Sequence, residues 1–197
     1  MSLRDGALAT LRGWAAPDAG QTALRDRYVA HLESHADAAY RSCRPDHLTA
    51  SALVVSADRT HVLLTLHAKA GRWFQFGGHC EPGDASLAAA ALREATEESG
   101  VPGLVLDPEP VHLDEHPVTF CGAPGLVHHL DVRFVALAPV DAVPVVSDES
   151  TDVRWWPVGA LPEPDTGLVA RSLERLAQST SWPGGGSTLA AADQPSR

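Results

Sequence analysis

The sequence predicts an α/β fold with a helical N-terminal extension, and three observations carry that expectation. Apolar residues recur at helical spacing before residue 46, short runs rich in Ala, Val and Leu begin at Thr49, and a long Ala- and Glu-rich helix follows directly on a glycine-rich loop.

The elements follow in order. Leu8 to His35 reads as helix, with Leu24, Tyr28 and Leu32 four residues apart and a break across Pro17 to Gly20 that divides it in two. Thr49 to Ser56 and Val62 to Leu66 read as buried strands, with Asp58 and Arg59 in the hairpin between them. Gly71 to Asp84 contains Gly77, Gly78, Pro82 and Gly83, so it reads as a loop carrying a short strand around Trp73 to Phe76. Trp73, Phe74 and Phe76 are expected to serve as packing residues, because alternate residues of a strand face the interior.

Ser86 to Ser99 is the strongest helix, with Asp84 or Ser86 as N-cap and Gly100 where a left-handed C-terminal cap belongs. Strands are expected at Leu104 to Glu115, at Val127 to Ala138 and in a short run ending at Trp155 and Trp156, with a last helix at Leu168 to Gln178. The tail from Pro183 has little to bury and reads as mobile. The division expected is a helical extension over 1–46, one enzyme domain over 47–180 and a flexible tail over 181–197.

Composition narrows the function. An apolar fraction of 44% without a run near the ~18 residues of a membrane span describes a soluble protein. Met-Ser-Leu-Arg-Asp-Gly lacks the cationic start and apolar block of a secretory signal, so a cytoplasmic location is expected, with no membrane partner. Cys43, Cys80 and Cys121 form no Cys-x-x-Cys pair and read as reduced thiols. A net charge of -10 repels polyanions, which argues against a nucleic acid polymer; a small phosphorylated substrate is compatible if cations bridge it to carboxylates.

Glu94, Glu97 and Glu98 stand at offsets of three and four, so they share a helix face. Three close carboxylates repel one another, and a hard divalent cation with oxygen ligands removes that cost. Taken alone, such a stretch is more often a solvated face, with Arg93 pairing Glu97 one turn on. The glycine loop feeding straight into it points instead to a phosphate- or metal-binding turn.

Gly78, five residues, Asp84, then Arg93-Glu94-Ala95-Thr96-Glu97-Glu98-Ser99-Gly100-Val101 resembles the signature box of the Nudix (MutT-like) hydrolase family. Two departures mark this chain: Asp84 stands where the family has Glu, and eight residues rather than seven separate it from Arg93. Within the helix an extra residue would rotate its predecessors by about 100°, so the insertion belongs in the loop before Ser86.

The resemblance implies an α/β/α sandwich around a mixed sheet and a hydrolase that cleaves a diphosphate linkage by water attack on phosphorus. It implies Mg²⁺ or Mn²⁺ bound by Glu94, Glu97 and Glu98 with help from the Gly77 carbonyl. Glu94 and Glu149 are both candidates for the base that takes the proton from water.

Lys69 and Arg72, ahead of the aromatic run, are candidate phosphate contacts, with ordinary surface charge as the equal alternative. His129, Asp131 and Arg133 fall on one face of their strand and line either the substrate cleft or a solvent edge. A second metal site using His128 or His129 with His116 is the weaker reading, since nothing in the sequence brings them together.

Two other functions compete. Isopentenyl diphosphate isomerases share this fold and carry a Gly-His pair after a Trp, but their Cys precedes that pair, whereas Gly77 holds the position here and Cys80 follows. A non-catalytic binding or regulatory module is the other, disfavoured by the intact glutamates. The N-terminal helices are read either as covering a sheet edge or as pairing two subunits, with the lean toward a homodimer.

Overall fold

The computed structural model describes residues 1–118, 126–147 and 150–178. Helices α1 (Leu3–Gly13) and α2 (Ala19–Ser34) lead into strands β1 (His47–Val55), β2 (His61–His67), β3 (Trp73–Phe74) and β4 (Phe76–His79). Helix α3 (Leu87–Ser99), strands β5 (Val105–Leu106), β6 (His112–Val118), β7 (Val127–Leu137) and β8 (Ser150–Pro157), and helix α4 (Leu168–Gln178) complete the described chain.

The eight strands form one sheet in which β1 lies between β2 and β7, while β4 also pairs with β1 and β6 with β7. Among the described residues only the β1–β7 pairing is parallel, so the sheet is mixed. Alternation divides the central strands between two cores. Leu48, Ala50, Ala52 and Val54 join Leu130, Val132, Phe134 and Ala136 in a cluster with α1, α2 and α3. Leu53, Val55, Val135 and Leu137 pack with Leu168, Val169 and Leu176 of α4 on the opposite face. This is the α/β/α arrangement expected.

The expected strand from Leu104 to Glu115 is two strands in the structure. Pro108 and Pro110 lie between β5 and β6 and have no backbone N–H to give to β7. The contacts there come from Asp107 N–H to the Val135 carbonyl and Val111 N–H to the Arg133 carbonyl. Of the aromatic run, Phe76 alone is fully buried; Trp73 packs edge-on against Trp156, and Phe74 is exposed.

The extension folds onto its own chain. Leu3, Ala7, Leu8 and Leu11 of α1 and Tyr28 and Leu32 of α2 are buried in the larger core. Arg27 bonds Glu115 on β6 and Asp46 just before β1. Gln21 Nε2 donates to the Leu113 carbonyl at 3.0 Å, and Leu113 N–H donates to Gln21 Oε1 at 2.7 Å. The side-chain amide thus takes the place of a neighbouring strand along β6. The apolar stripe of the two helices is thus covered within the chain. No described helix is long and apolar enough to cross a membrane.

Candidate metal and substrate site

Helix α3 is built to come close to the sheet. Leu87, Ala90, Ala91 and Ala95 form its buried stripe, and three alanines allow the helix axis to sit near β1 and β4. Ser86, not Asp84, is the N-cap, its Oγ accepting from Ala89 N–H at 3.1 Å. Gly100 ends the helix at φ 64°, the left-handed cap. The helix is unbroken from Leu87 to Ser99, so Glu94, Glu97 and Glu98 do lie on one face.

That face meets the glycine pair. A Cβ on Gly78 would fall 2.7 Å from a Glu94 carboxylate oxygen, and one on Gly77 would fall 2.3 Å from Ser51 Cβ. Gly77 therefore requires glycine for close approach, whereas a methyl at Gly78 would displace the Glu94 carboxylate. Gly77 N–H donates to a Glu98 oxygen over a long 3.4 Å. Glu97 is the exposed member of the three, with 61% of its side chain open to solvent.

Arg93 ties the box together. Its Nε and Nη2 both donate to the Asp84 carboxylate at 3.0 Å, Nη1 donates to Glu94 at 2.9 Å and Glu97 at 3.3 Å, and Nη2 reaches the His79 carbonyl at 3.1 Å. Burial would raise the Asp84 carboxyl, yet bonds from Arg93 and the Glu81 N–H outweigh it and hold it below the usual range. Bonding to Asp84 in turn raises Arg93, which stays charged throughout. Asp84 thus acts as the anchor of an arginine rather than as a member of the carboxylate cluster.

A family model described as NUDIX domain matches residues 45–176. The chain belongs to the Nudix family. It is a Nudix pyrophosphohydrolase, one of a family that acts on nucleoside diphosphate derivatives and generally uses divalent metals.

Comparison with curated protein sequences gives no match. Among solved structures, a MutT protein from Methanosarcina mazei Go1 is 19% identical with a TM-score of 0.51, over 67% of this chain and 96% of that one. A C. elegans Ap4A hydrolase in a binary complex is 17% identical with a TM-score of 0.50, over 66% and 96%. A NUDIX-family hydrolase from Clostridium perfringens is 24% identical with a TM-score of 0.49, over 66% and 95%. The first two show that this chain has the Nudix fold.

Beside the Nudix box lies a polar wall. His47, Thr49 and Ser51 on β1 pair in register with His129, Asp131 and Arg133 on β7. Asp131 and Arg133 are buried, which rules out the solvent-edge reading of that stripe. Both Asp131 oxygens are engaged, by Thr49 Oγ1 at 3.0 Å, Ser51 Oγ at 2.8 Å and Arg133 Nε at 2.9 Å. Arg133 also bonds Asp114 at 2.8 Å, and Asp114 accepts from His116 Nδ1 at 2.8 Å.

The other candidates fall as follows. Lys69 is exposed in the turn after β2, and Arg72, also exposed, pairs with Glu163 at 2.8 Å beside the Phe74 ring. Glu149, Cys121 and the tail from Pro183 lie outside the described residues. Cys80 is buried and its thiol is pushed up to about 12 by that burial, the reverse of what a reactive thiolate needs.

The sequence reading missed His47, which the structure places against His79 and His129. It also ranked low any grouping of His129 with His116, whose ring centroids are 5.5 Å apart. The sheet register supplies the proximity that spacing along the chain does not.

Proposed function

We propose that this Nudix domain hydrolyses the diphosphate linkage of a nucleoside diphosphate derivative or a related small molecule by water attack on phosphorus, with Mg²⁺ or Mn²⁺ as cofactor. The observation that carries this reading is the meeting of Glu94 and Glu98 with the Gly77–Gly78 backbone of β4, with Glu97 on the same helix face, an all-oxygen donor set. Such donors suit a hard divalent ion, held by the three glutamates with the Gly77 carbonyl. A bound ion of this kind offsets charge developing on a phosphoryl oxygen and makes bound water more acidic.

The protein's own residues set the rest. Arg93, held on two sides by Asp84, fixes Glu94 and tempers the repulsion among the carboxylates. Glu94 and Glu149 are the candidate bases for the attacking water. Lys69 and Arg72 would contact the outer phosphate, Arg72 by giving up Glu163 for it. His129 lies at the open part of the polar wall, and Asp131 organises Thr49, Ser51 and Arg133 behind it.

The test is to incubate a panel of nucleoside triphosphates, nucleotide sugars and dinucleoside polyphosphates with the protein and Mg²⁺ in heavy-oxygen water and follow products by phosphorus NMR. Label on a product phosphate establishes hydrolysis at phosphorus and names the substrate class. In a parallel incubation with isopentenyl diphosphate, metal-dependent double-bond migration without label would favour the isomerase, and tight binding with no turnover on any compound would favour the binding module.

A further inference from the structure

His47 opens β1, His79 closes β4 and His129 stands near the start of β7, yet the sheet brings the three rings to one point. Their centroids are 5.0 to 5.1 Å apart. Nε2 of His47 lies 3.2 Å from Nε2 of His79, and one ring nitrogen from each of the three lies within 4.8 Å of the others.

The buried member is aimed. His47 has no exposed surface, and its Nδ1 lies 3.2 Å from the Cys43 carbonyl. A carbonyl only accepts, so that contact puts the ring proton on Nδ1 and leaves the Nε2 lone pair facing the other two rings. A carbonyl bonded to the far ring nitrogen is a usual way for a metal-binding histidine to be held in its tautomer.

We propose that His47, His79 and His129 form a site for one zinc-class divalent cation, bound by three imidazole nitrogens and separate in its donors from the glutamate site. Zn–N bonds of about 2.0 to 2.1 Å place tetrahedral ligand nitrogens roughly 3.4 Å apart. The His47–His79 separation of 3.2 Å already meets that spacing. His129 closes the remainder by side-chain rotation, since it and His79 are only partly buried.

Imidazole donors favour Zn²⁺, Co²⁺, Ni²⁺ or Cu²⁺ over Mg²⁺ and Ca²⁺, which take oxygen. His116, whose ring centroid lies 5.5 Å from that of His129, has a side chain 39% exposed, so solvent reaches this end of the group. Once bound, the ion would cross-link β1, β4 and β7 one residue beyond the Gly77–Gly78 pair.

A second group, His31, His35 and Cys43, also has ligand spacing. His31 Nε2 is already bonded to the Asp46 carbonyl at 3.1 Å, and burial pushes the Cys43 thiol up to about 11, which makes this the poorer acceptor of a cation.

The experiment titrates the metal-free full chain with Co²⁺ and then Zn²⁺. One equivalent of Co²⁺ should give a visible band of tetrahedral intensity with no thiolate charge-transfer band, and Zn²⁺ should bleach it. X-ray absorption of the Zn²⁺ form should count three imidazoles. His79→Gln and His129→Gln should abolish the band, while Glu97→Gln and Glu98→Gln keep it. A thiolate band, loss of the signal in Glu98→Gln with retention in His129→Gln, or fewer than two imidazoles at zinc in the native chain each overturns the proposal. The last measurement needs no variant, so it decides the matter even if the histidine variants do not fold.

Discussion

Arg93 grips Asp84 through two parallel bonds of 3.0 Å, and the same guanidinium holds Glu94 at 2.9 Å. The bidentate fork fixes the orientation of Arg93 and, through it, Glu94, the carboxylate nearest Gly78. Lysine has no fork, so Arg93→Lys should keep the charge and lose the geometry. The expected result is on the order of 10- to 100-fold weaker metal-dependent turnover, as for partners that orient metal ligands. A titration of rate against Mg²⁺ or Mn²⁺ checks this, with Asp84→Asn expected to move in the same direction.

Gly77 and Gly78 should separate stability from activity. An added methyl at Gly77 meets Ser51 Cα at 2.6 Å and the Ala50 carbonyl at 2.8 Å, both parts of a fully paired central strand. At Gly78 it meets only the Glu94 carboxylate, the far end of a flexible side chain. Gly77→Ala is therefore expected to lower the thermal midpoint by several degrees, and Gly78→Ala to leave it nearly unchanged while reducing metal-dependent turnover. Thermal melts and metal titrations of the two variants distinguish the effects.

Gln21 completes β6 from outside the sheet. Gln21→Leu would leave the buried N–H and carbonyl of Leu113 without those two bonds, a cost of roughly 1 to 3 kcal/mol. The measurement is the urea midpoint, which should fall while the Michaelis constant and the metal requirement stay as in the native chain. An unchanged midpoint would show that the extension contributes nothing through this contact.

Acid should destabilise the protein before its carboxylates titrate. Burial, aided by the charges of Arg133 and Arg171, lowers His112 from its ordinary 6.5 to about 4. The unfolded chain then binds a proton that the folded chain refuses, so stability falls as pH drops from about 6.5 toward 4 and is flat above that window. His112→Phe removes one of several histidines lowered by burial, His79 and His129 among them, and should make this part of the profile shallower without abolishing it. Melting temperatures from pH 7.5 to 4.5, taken with chelator present, test the sign.

The sequence showed the chemistry more clearly than the surroundings. Offsets of three and four are enough to put Glu94, Glu97 and Glu98 on one helix face, because a helix is local. Ser86 and Gly100 also mark the helix ends by local rules. The grouping of His129 with His47 and His79 depends on which strands pair and in what register, and no local pattern states that. The same holds for Gln21 and Leu113, 92 residues apart. Pro108 and Pro110 did carry a local signal that the strand from Leu104 is interrupted, which the apolar run around them masked.

The most direct test of the central claim is the Mg²⁺-dependent release of product from the best substrate of the panel, compared between the native chain and the variants Glu97→Gln and Glu98→Gln. Losing a ligand of a metal worth several kcal/mol should reduce turnover by on the order of 100-fold or more in each variant, with the fold retained. Turnover within a factor of about two of the native rate in both folded variants would contradict the assignment of this helix face as the catalytic metal site.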